Sequence, residues 1–187
     1  MNHQGTIRLE TERLILRRFE MKDAKDMYKN VTSDPAVNKF LTWTLHENVS
    51  ETVSLLAGWL EGYQDLERYC WAIELKKIGG VIGTIASPTV RNRTETVDVT
   101  YCIGSKWWGK GIVLEALWEI IKFFFDVVQV NRIEAGYDIN NPNSGRVLEK
   151  IGMQKEGIIR QAGRNNQGLF DIVQCSILRE EWKKREV

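Results

Sequence analysis

The sequence predicts one α/β domain in which helices flank a mixed, mostly antiparallel sheet, and three observations support that class. The first is size: 187 residues suffice for one well-buried core, whereas dividing them would leave two small, marginal ones. The second is a change of hydrophobic period after Gly62, from helical spacing to alternation, followed by three strand-like runs with short connections. The third is the order strand, glycine-containing loop, long apolar helix, strand over residues 95–137, which makes the helix a crossover between two locally parallel strands. The domain is expected to fill residues 1–187, with 1–8 as a flexible tail.

Residues 13–19 (R-L-I-L-R-R-F) alternate as a first strand, and Ala24, Met27, Tyr28 and Val31 share one face of the helix that follows. Ser33, Asp34 and Pro35 stop that helix. Residues 37–46 are irregular but hold Phe40, Leu41, Trp43 and Leu45, so this segment either folds onto the core or lines a pocket. Ser50 suits the N-cap of a second helix, with Val53, Leu55, Leu56, Trp59 and Leu60, ending near Gly62. Strands over 69–75, 81–87 and 95–103 then form an antiparallel meander. In the last of them Val97, Val99, Tyr101 and Ile103 share a core face. Thr96, Asp98, Thr100 and Cys102 make a small, polar face beside which a narrow extended ligand has room to lie.

The helix over 112–128 is apolar except for one wet stripe, Glu115, Glu119, Lys122 and Asp126, and a strand over 132–137 follows it. Asn141 can cap a short helix that Pro142 opens and Gly152 stops. Two strands, 153–160 and 170–178, enclose a turn region over 163–168, and the segment 179–187 is charged apart from Trp182.

Composition excludes several functions. A net charge of +1 lacks the basic stripe of a nucleic-acid-binding surface, and no apolar run reaches membrane-spanning length. No secretory leader is visible, so a cytoplasmic location is expected. Cys70, Cys102 and Cys175 are odd in number and far apart, in keeping with buried, reduced thiols. The only histidines are His3, in the tail, and His46, in a loop. No zinc site and no Ser-His-Asp or Cys-His nucleophile can be assembled, and no metal is expected.

Chemistry concentrates at residues 105–116, S-K-W-W-G-K-G-I-V-L-E-A. The first turn of a helix leaves backbone N–H groups unpaired, and the helix dipole adds positive charge there, so the junction suits an anion. Gly109 and Gly111 let the backbone approach a phosphate closely, and Lys106 and Lys110 add charge. A nucleoside-triphosphate loop needs G-x-x-x-x-G-K-[ST], yet Ile112 and Val113 follow Gly111; a dinucleotide loop needs a third glycine where Leu114 stands. A tight strand-to-helix turn without a ligand is the competing explanation.

The loop does fit [QR]-x-x-G-x-[GA], except that Lys106 replaces Gln or Arg, keeping a donor but losing planar geometry. W-G-K-G-I-x-x-E-A, then N-P-N-S-x-x-V-L-E-K-I-G-M, the start L-E-T-E-R-L-I-L-R-R-F, Asp171 and the Glu181-Trp182 finish form an ordered set. That set resembles the GNAT acyltransferases, most closely the ribosomal-protein N-terminal acetyltransferases of the RimJ/RimL type. The resemblance implies a sheet of about seven strands whose central pair splays. It also implies transfer from acetyl-CoA to a primary amine by direct attack in a ternary complex. The implied acceptor is a protein N-terminal α-amine; a small amine such as a polyamine, amino acid or antibiotic is the alternative, as is a coenzyme A-binding module without turnover. A homodimer is left open.

By the same resemblance, Ile103, Lys106, Trp108, Gly109, Lys110, Gly111 and Ile112 hold the coenzyme, Asn141 contacts its pantetheine arm, and Ser144 offers a proton to the departing thiolate. Helix-start chemistry suits Asn141 and Ser144 as well. A backbone N–H near Cys102 would stabilise the oxyanion, the Cys102 thiol being a bystander or, less simply, an acylation site. Asp98 stands where many members carry a base, but it is roughly 13 Å along the strand from Cys102 and would act through water; an ordinary ion pair is the other explanation. The glutamate that the branch carries between its last two strands has no counterpart in Gln161, Ala162, Gly163 and Arg164. An α-amine with a pKa near 8 is partly neutral without a strong base. Trp43, Arg160 and Asp171 are the candidate acceptor-binding residues.

Overall fold

The computed structural model describes residues 1–184. In chain order the strands are β1 (Leu9–Glu10), β2 (Leu14–Arg17), β3 (Tyr69–Leu75), β4 (Gly80–Ser87), β5 (Val90–Arg91), β6 (Thr96–Asp98), β7 (Thr100–Ile103), β8 (Arg132–Asp138), β9 (Gln154–Asn165) and β10 (Gly168–Leu178). The helices are α1 (Ala24–Met27), α2 (Pro35–Asn38), α3 (Val49–Glu61), α4 (Ile112–Phe123), α5 (Pro142–Ile151) and α6 (Arg179–Lys183). One sheet has the order β1-β2-β3-β4-β7 and the other β5-β6-β8-β10-β9. Every neighbouring pair is antiparallel except β6 and β8, the parallel pair expected on either side of the crossover helix.

The expected strand over 95–103 is therefore two strands in different sheets. Val99 lies at the break, and its amide still donates to the Glu134 carbonyl at 2.8 Å. From Thr100 onward the chain pairs with β4 instead, so β7 and β8 diverge. This is the splayed pair. With β6 and β7 counted as one broken strand, the expected seven are present beside the two-residue strands β1 and β5.

Alternation along the first sheet, interrupted by a bulge at Ile82 of β4, sends Leu14, Leu16, Trp71, Ile73, Ile82, Ile85 and Ile103 into a core shared with Ile112, Ala116, Leu117 and Ile120 of α4. Rings tighten it: Phe124 meets Tyr69 edge-on at 5.0 Å, and Phe123 meets Trp71 at 5.7 Å. The opposite face of the sheet, with Ala72, Val81 and Cys102, packs on Phe19, Met27, Val31 and Leu56 in a second core. The Cys102 face was expected to leave room for a ligand. At Cys102 it is closed instead, because Met27 of α1 and Leu56 of α3 pack with it in the second core, while Thr100 stays exposed.

Other expectations shift locally. Asn48 rather than Ser50 caps α3, its side chain accepting from the Glu51 amide. β9 and β10 extend through the expected turn, because the Phe170 ring lies over Gly163, where any side chain would collide with it. The segment 1–8 is not a free tail. Met1 and Ile7 pack on the main core, the Asn2 amide donates to the Val128 carbonyl at 2.7 Å, and the His3 ring joins the Tyr69 hydroxyl and Asn92 Oδ1, each at 2.8 Å. His46 is buried against the Thr52 hydroxyl at 2.8 Å. Trp182 anchors α6 in the core, and the final three residues of the charged segment lie outside the described residues. Among the described residues, no helix is long and apolar enough to cross a membrane, and no His, Cys, Asp or Glu group is placed to hold a metal.

Phe124 is fully buried at the contact of α4's continuation with β3. Phe124→Ala is expected to cost about 3–5 kcal/mol of unfolding free energy, read from urea denaturation.

Candidate active site

The last rung at Val99 decides which main-chain groups are left over. Gly104 donates to the Ile82 carbonyl at 2.9 Å, which fixes the parity of the β4–β7 ladder: Thr100, Cys102 and Gly104 turn their amides toward β4. The amides of Tyr101 and Ile103 face the opening. The oxyanion donor expected at Cys102 thus has its N–H committed to β4, and its two neighbours offer theirs instead. Across the opening, the same parity from Glu134 turns the main chain of Gly136 toward the gap. The Ile103 carbonyl is occupied, accepting from the Trp108 indole Nε1 at 2.9 Å.

Beyond Ile103 the chain makes a short helical turn over Ser105–Trp107 and then enters the glycine loop. A Cβ on Gly104 would lie 2.1 Å from the Asn30 carbonyl oxygen and 2.7 Å from the Trp107 ring, so only glycine lets the turn pack there. Asp34 Oδ2 accepts from the Ser105 amide at 3.1 Å. Burial pushes the Asp34 carboxyl up, but hydrogen bonds from Ser105, Ala36 and Val37 outweigh it and leave the group lowered. Gly109 and Gly111 both adopt left-handed backbone, at φ +71° and +72°. A Cβ on Gly109 would meet nothing within 4 Å, so the loop is open there. Gly111 caps α4 with no side chain, leaving the helix's first amides available. Lys106 and Lys110 are exposed, and among the described residues neither has an acid within ion-pair distance. Open backbone, an uncapped helix N-terminus and two uncompensated ammonium groups suit a diphosphate.

A clamp behind the loop was not read from the sequence. Glu115, counted there as part of a wet stripe, accepts from the Thr11 hydroxyl at 2.5 Å, the Arg13 amide at 3.0 Å and Arg13 Nε at 2.5 Å. Arg13 Nη1 in turn donates to the Lys110 carbonyl at 3.0 Å. The segment leading into β2 thereby holds the loop and the first turn of α4 together.

The second motif opens α5, which packs on α4 and β8. Asn141 stands at its N-cap but makes no side-chain capping bond, so its amide is not spent on the helix. Ser144 Oγ lies 2.8 Å from the Tyr101 hydroxyl, and that hydroxyl also reaches the Ser144 carbonyl at 3.0 Å. Alternation marks Tyr101 as a core residue, and nothing in the sequence signals that its hydroxyl crosses to α5. Burial pushes the Tyr101 phenol up to about 12. Burial likewise pushes the Cys102 thiol up to about 12, so it is not a nucleophile. Asp98 sits before the break, its Oδ1 accepting from the Thr89 amide at 2.8 Å, and burial pushes its carboxyl up.

Arg160 and Asp171 do come together, with Gln161, around an open surface depression of about 640 Å³. Between the pairs Ile159–Ile172 and Gly163–Phe170, three residues of β9 face Asp171 alone, a bulge absent from any sequence signal. Gln161 takes left-handed φ +47° there, and its amide donates to Asp171 Oδ1 at 2.8 Å. The Asp171 carbonyl accepts from Ile139 at 3.1 Å, which ties the wall of the depression to the end of β8, just ahead of Asn141. Trp43 does not line this depression. Its ring joins the second core, 6.3 Å from Trp59, and its carbonyl accepts from Asn38 Nδ2 at 2.9 Å and Asn166 Nδ2 at 2.7 Å.

Comparison with known proteins agrees with this geometry. A family model described as an acetyltransferase (GNAT) domain matches residues 13–154. The uncharacterized N-acetyltransferase p20 of Bacillus licheniformis is 30% identical over 174 residues, covering 93% of this chain and 97% of that protein. The [ribosomal protein uS5]-alanine N-acetyltransferase of Escherichia coli is 38% identical over 71 residues, 38% of this chain and 37% of that protein. Among solved structures, the microcin C7 self-immunity acetyltransferase MccE, in complex with acetyl-CoA and AMP, has the same fold: TM-score 0.82 at 20% identity, over 90% of this chain and 93% of that one.

The Glu115 clamp is testable by pH. Burial raises its carboxyl, but hydrogen bonds from Thr11 and Arg13 outweigh it and hold the pKa below the ordinary 4.5. A lowered folded pKa adds stability that is present above the unfolded value and is lost as pH falls through the folded one. Glu115→Gln is therefore expected to be less stable than the native chain at neutral pH, the gap closing as acid passes below 4.5. Urea midpoints along a pH series read this, and a gap independent of pH would refute the electrostatic account.

Proposed function

The chain belongs to the GNAT acetyltransferase family, and from that premise we propose that it moves the acetyl group of acetyl-CoA to the N-terminal α-amine of a protein. One observation carries the proposal: the uncovered, left-handed Gly109 at the head of α4 adjoins the unpaired edge of β7. Amides from Gly109 to Ile112, with Lys106 and Lys110 beside them, hold the diphosphate. Trp108 walls the corner from its bond to Ile103. Tyr101, Ile103 and Gly136 receive the pantetheine arm as a strand-like insert between β7 and β8, with Asn141 donating to it from the start of α5.

When bound, the thioester supplies an activated acetyl carbon and a thiolate leaving group. The chain supplies the rest. A strand amide at Tyr101 or Ile103 donates to the carbonyl oxygen as charge gathers on it. Ser144 donates a hydrogen bond to sulfur as the N–C bond forms and the C–S pair passes to the thiolate. The excess proton on nitrogen leaves through water; Asp98, which lies on β6 before the break and whose Oδ1 accepts from the Thr89 amide, is the carboxylate proposed to receive it through that water.

An α-amine suits this set because no strong base stands in it. Neutralising a group with pKa near 8 costs about 1.4 kcal/mol at neutral pH, whereas a lysine-like amine near 10.4 costs about 4.6 kcal/mol. The depression at Arg160, Gln161 and Asp171 offers a carboxylate for an arriving ammonium and a guanidinium for peptide carbonyls. The Escherichia coli relative, named for an alanine of ribosomal protein uS5, supports the same direction.

Release of coenzyme A thiol with a panel of amines tests the proposal: turnover is expected with peptide N-termini. Turnover confined to small amines would move the acceptor, and none above hydrolysis would leave a binding module. Gly109→Glu, which sets a carboxylate against the diphosphate, is expected to abolish acetyl-CoA binding in calorimetry; unchanged affinity would reject the loop assignment. Ser144→Ala is expected to lower turnover on the order of 100-fold while acetyl-CoA affinity holds.

A further inference from the structure

We infer that Tyr101 is a positioning residue for the transfer: its phenolic O–H donates to Ser144 Oγ and so aims the serine's own proton at the departing sulfur. The inference rests on the role proposed for Ser144. Its basis is the pair of contacts from one hydroxyl, 2.8 Å to Ser144 Oγ and 3.0 Å to the Ser144 carbonyl oxygen. A phenol has one proton for these two acceptors. If the proton goes to the carbonyl, the serine hydroxyl is drawn back onto the phenol oxygen and turns away from the opening. If it goes to Oγ, the hydroxyls line up, tyrosine to serine to sulfur, and each bond polarises the next.

Charge selects between the two arrangements. Hydrogen bonds to an ionised acceptor are roughly twice as strong as neutral ones, so a sulfur gaining negative charge favours the aligned chain. A serine hydroxyl alone rotates to suit its surroundings and gives no fixed aim. Tyr101 removes that freedom because its ring is itself fixed, packed against the main core while its backbone belongs to β7. Burial keeps the phenol protonated, with a pKa of about 12, so it remains a donor through the physiological range. No proton leaves the tyrosine. The C–S electron pair goes to sulfur, the amine lone pair makes the N–C bond, and the amine's proton departs through water.

Tyr101→Phe keeps the ring and removes the donor. It is expected to lower kcat about tenfold, the equivalent of one net hydrogen bond, with KM for acetyl-CoA unchanged. In a Ser144→Ala background the same substitution is expected to have no further effect, because the group through which it acts is gone. Equal losses in both backgrounds would assign Tyr101 to packing and overturn the inference, as would undiminished kcat in Tyr101→Phe. 3-Fluorotyrosine in place of Tyr101, a stronger donor of nearly the same shape, is expected to hold or raise kcat, and it decides the matter if the phenylalanine variant does not fold. A fall in kcat with the fluorinated residue overturns the inference. Full turnover by Ser144→Ala would remove the serine's role and this inference with it, while leaving the coenzyme site intact.

Discussion

A single backbone hydrogen bond, from the Val99 amide to the Glu134 carbonyl, marks where the chain changes sheets. Before it the strand belongs to β8; after it, to β4. Because successive amides alternate between the two edges of a strand, giving the even residues to β4 leaves Tyr101 and Ile103 facing a neighbour that has turned away. A buried, unpaired amide costs about 1–3 kcal/mol, so such an edge persists only if other forces hold the wedge open. Packing on both faces does so: Ile103 is locked into the main core and Cys102 into the second. The result is a preformed slot for something that hydrogen-bonds like a strand.

The anion cradle is fixed to that slot by short covalent and packed connections. Gly104, with no space for a side chain between Asn30 and Trp107, sets the direction in which the chain leaves β7. Five residues later the left-handed glycines open the head of α4, and Trp108 reaches back to the Ile103 carbonyl. Arg13 and Glu115 then tie this loop to β2, on the far side of the same sheet. Edge and loop are therefore joined by direct contacts on both sides. A ligand long enough to touch both meets two halves already in register, which reduces the ordering cost of binding.

How much of this was legible depended on whether the cue was local. Alternation exposed β3, β4 and β10 because each buries one face or both, and the glycine pair ahead of an apolar run exposed the cradle at Lys106 to Ile112. The break at Val99 had no such cue. Thr96 to Ile103 alternates without a glycine or proline, and the change of partner is decided by β4 and β8, distant in sequence. Tyr101 was hidden for a related reason: its ring obeys the core pattern, and only the arrival of α5 gives its hydroxyl a partner. Glu115 was read as solvent-facing because its spacing matched the polar stripe of α4, whereas Thr11 and Arg13 come from β2 and its approach. The docking of segment 1–8 has no cue either, because polar composition says nothing of single anchors such as Met1 and Ile7.

At the β9–β10 hairpin the candidates Arg160 and Asp171 are legible but their geometry is not, since its rigidity comes from side-chain amides and a strained bulge rather than from ladders. Asn166 donates to the carbonyls of Asn38 and Trp43, and its own amide donates to the Leu41 carbonyl, so the tip of the β9–β10 hairpin braces the irregular segment after α2. At the bulge, left-handed backbone at a non-glycine residue costs on the order of 1–3 kcal/mol, and the bond from the Gln161 amide to Asp171 offsets part of it. That bond occupies one carboxylate oxygen, and among the described residues no hydrogen bond reaches the other. The arrangement separates two tasks. The coenzyme site proposed here depends on main-chain groups whose positions the fold dictates, so it should tolerate few changes of backbone and many of side chain. The acceptor site proposed at Arg160, Gln161 and Asp171 depends instead on side chains beyond the splay and outside both cores, where substitutions alter charge and shape without disturbing the edge of β7. On the proposed assignment, one frame would hold the same acyl donor while the amine it serves is changed at the hairpin.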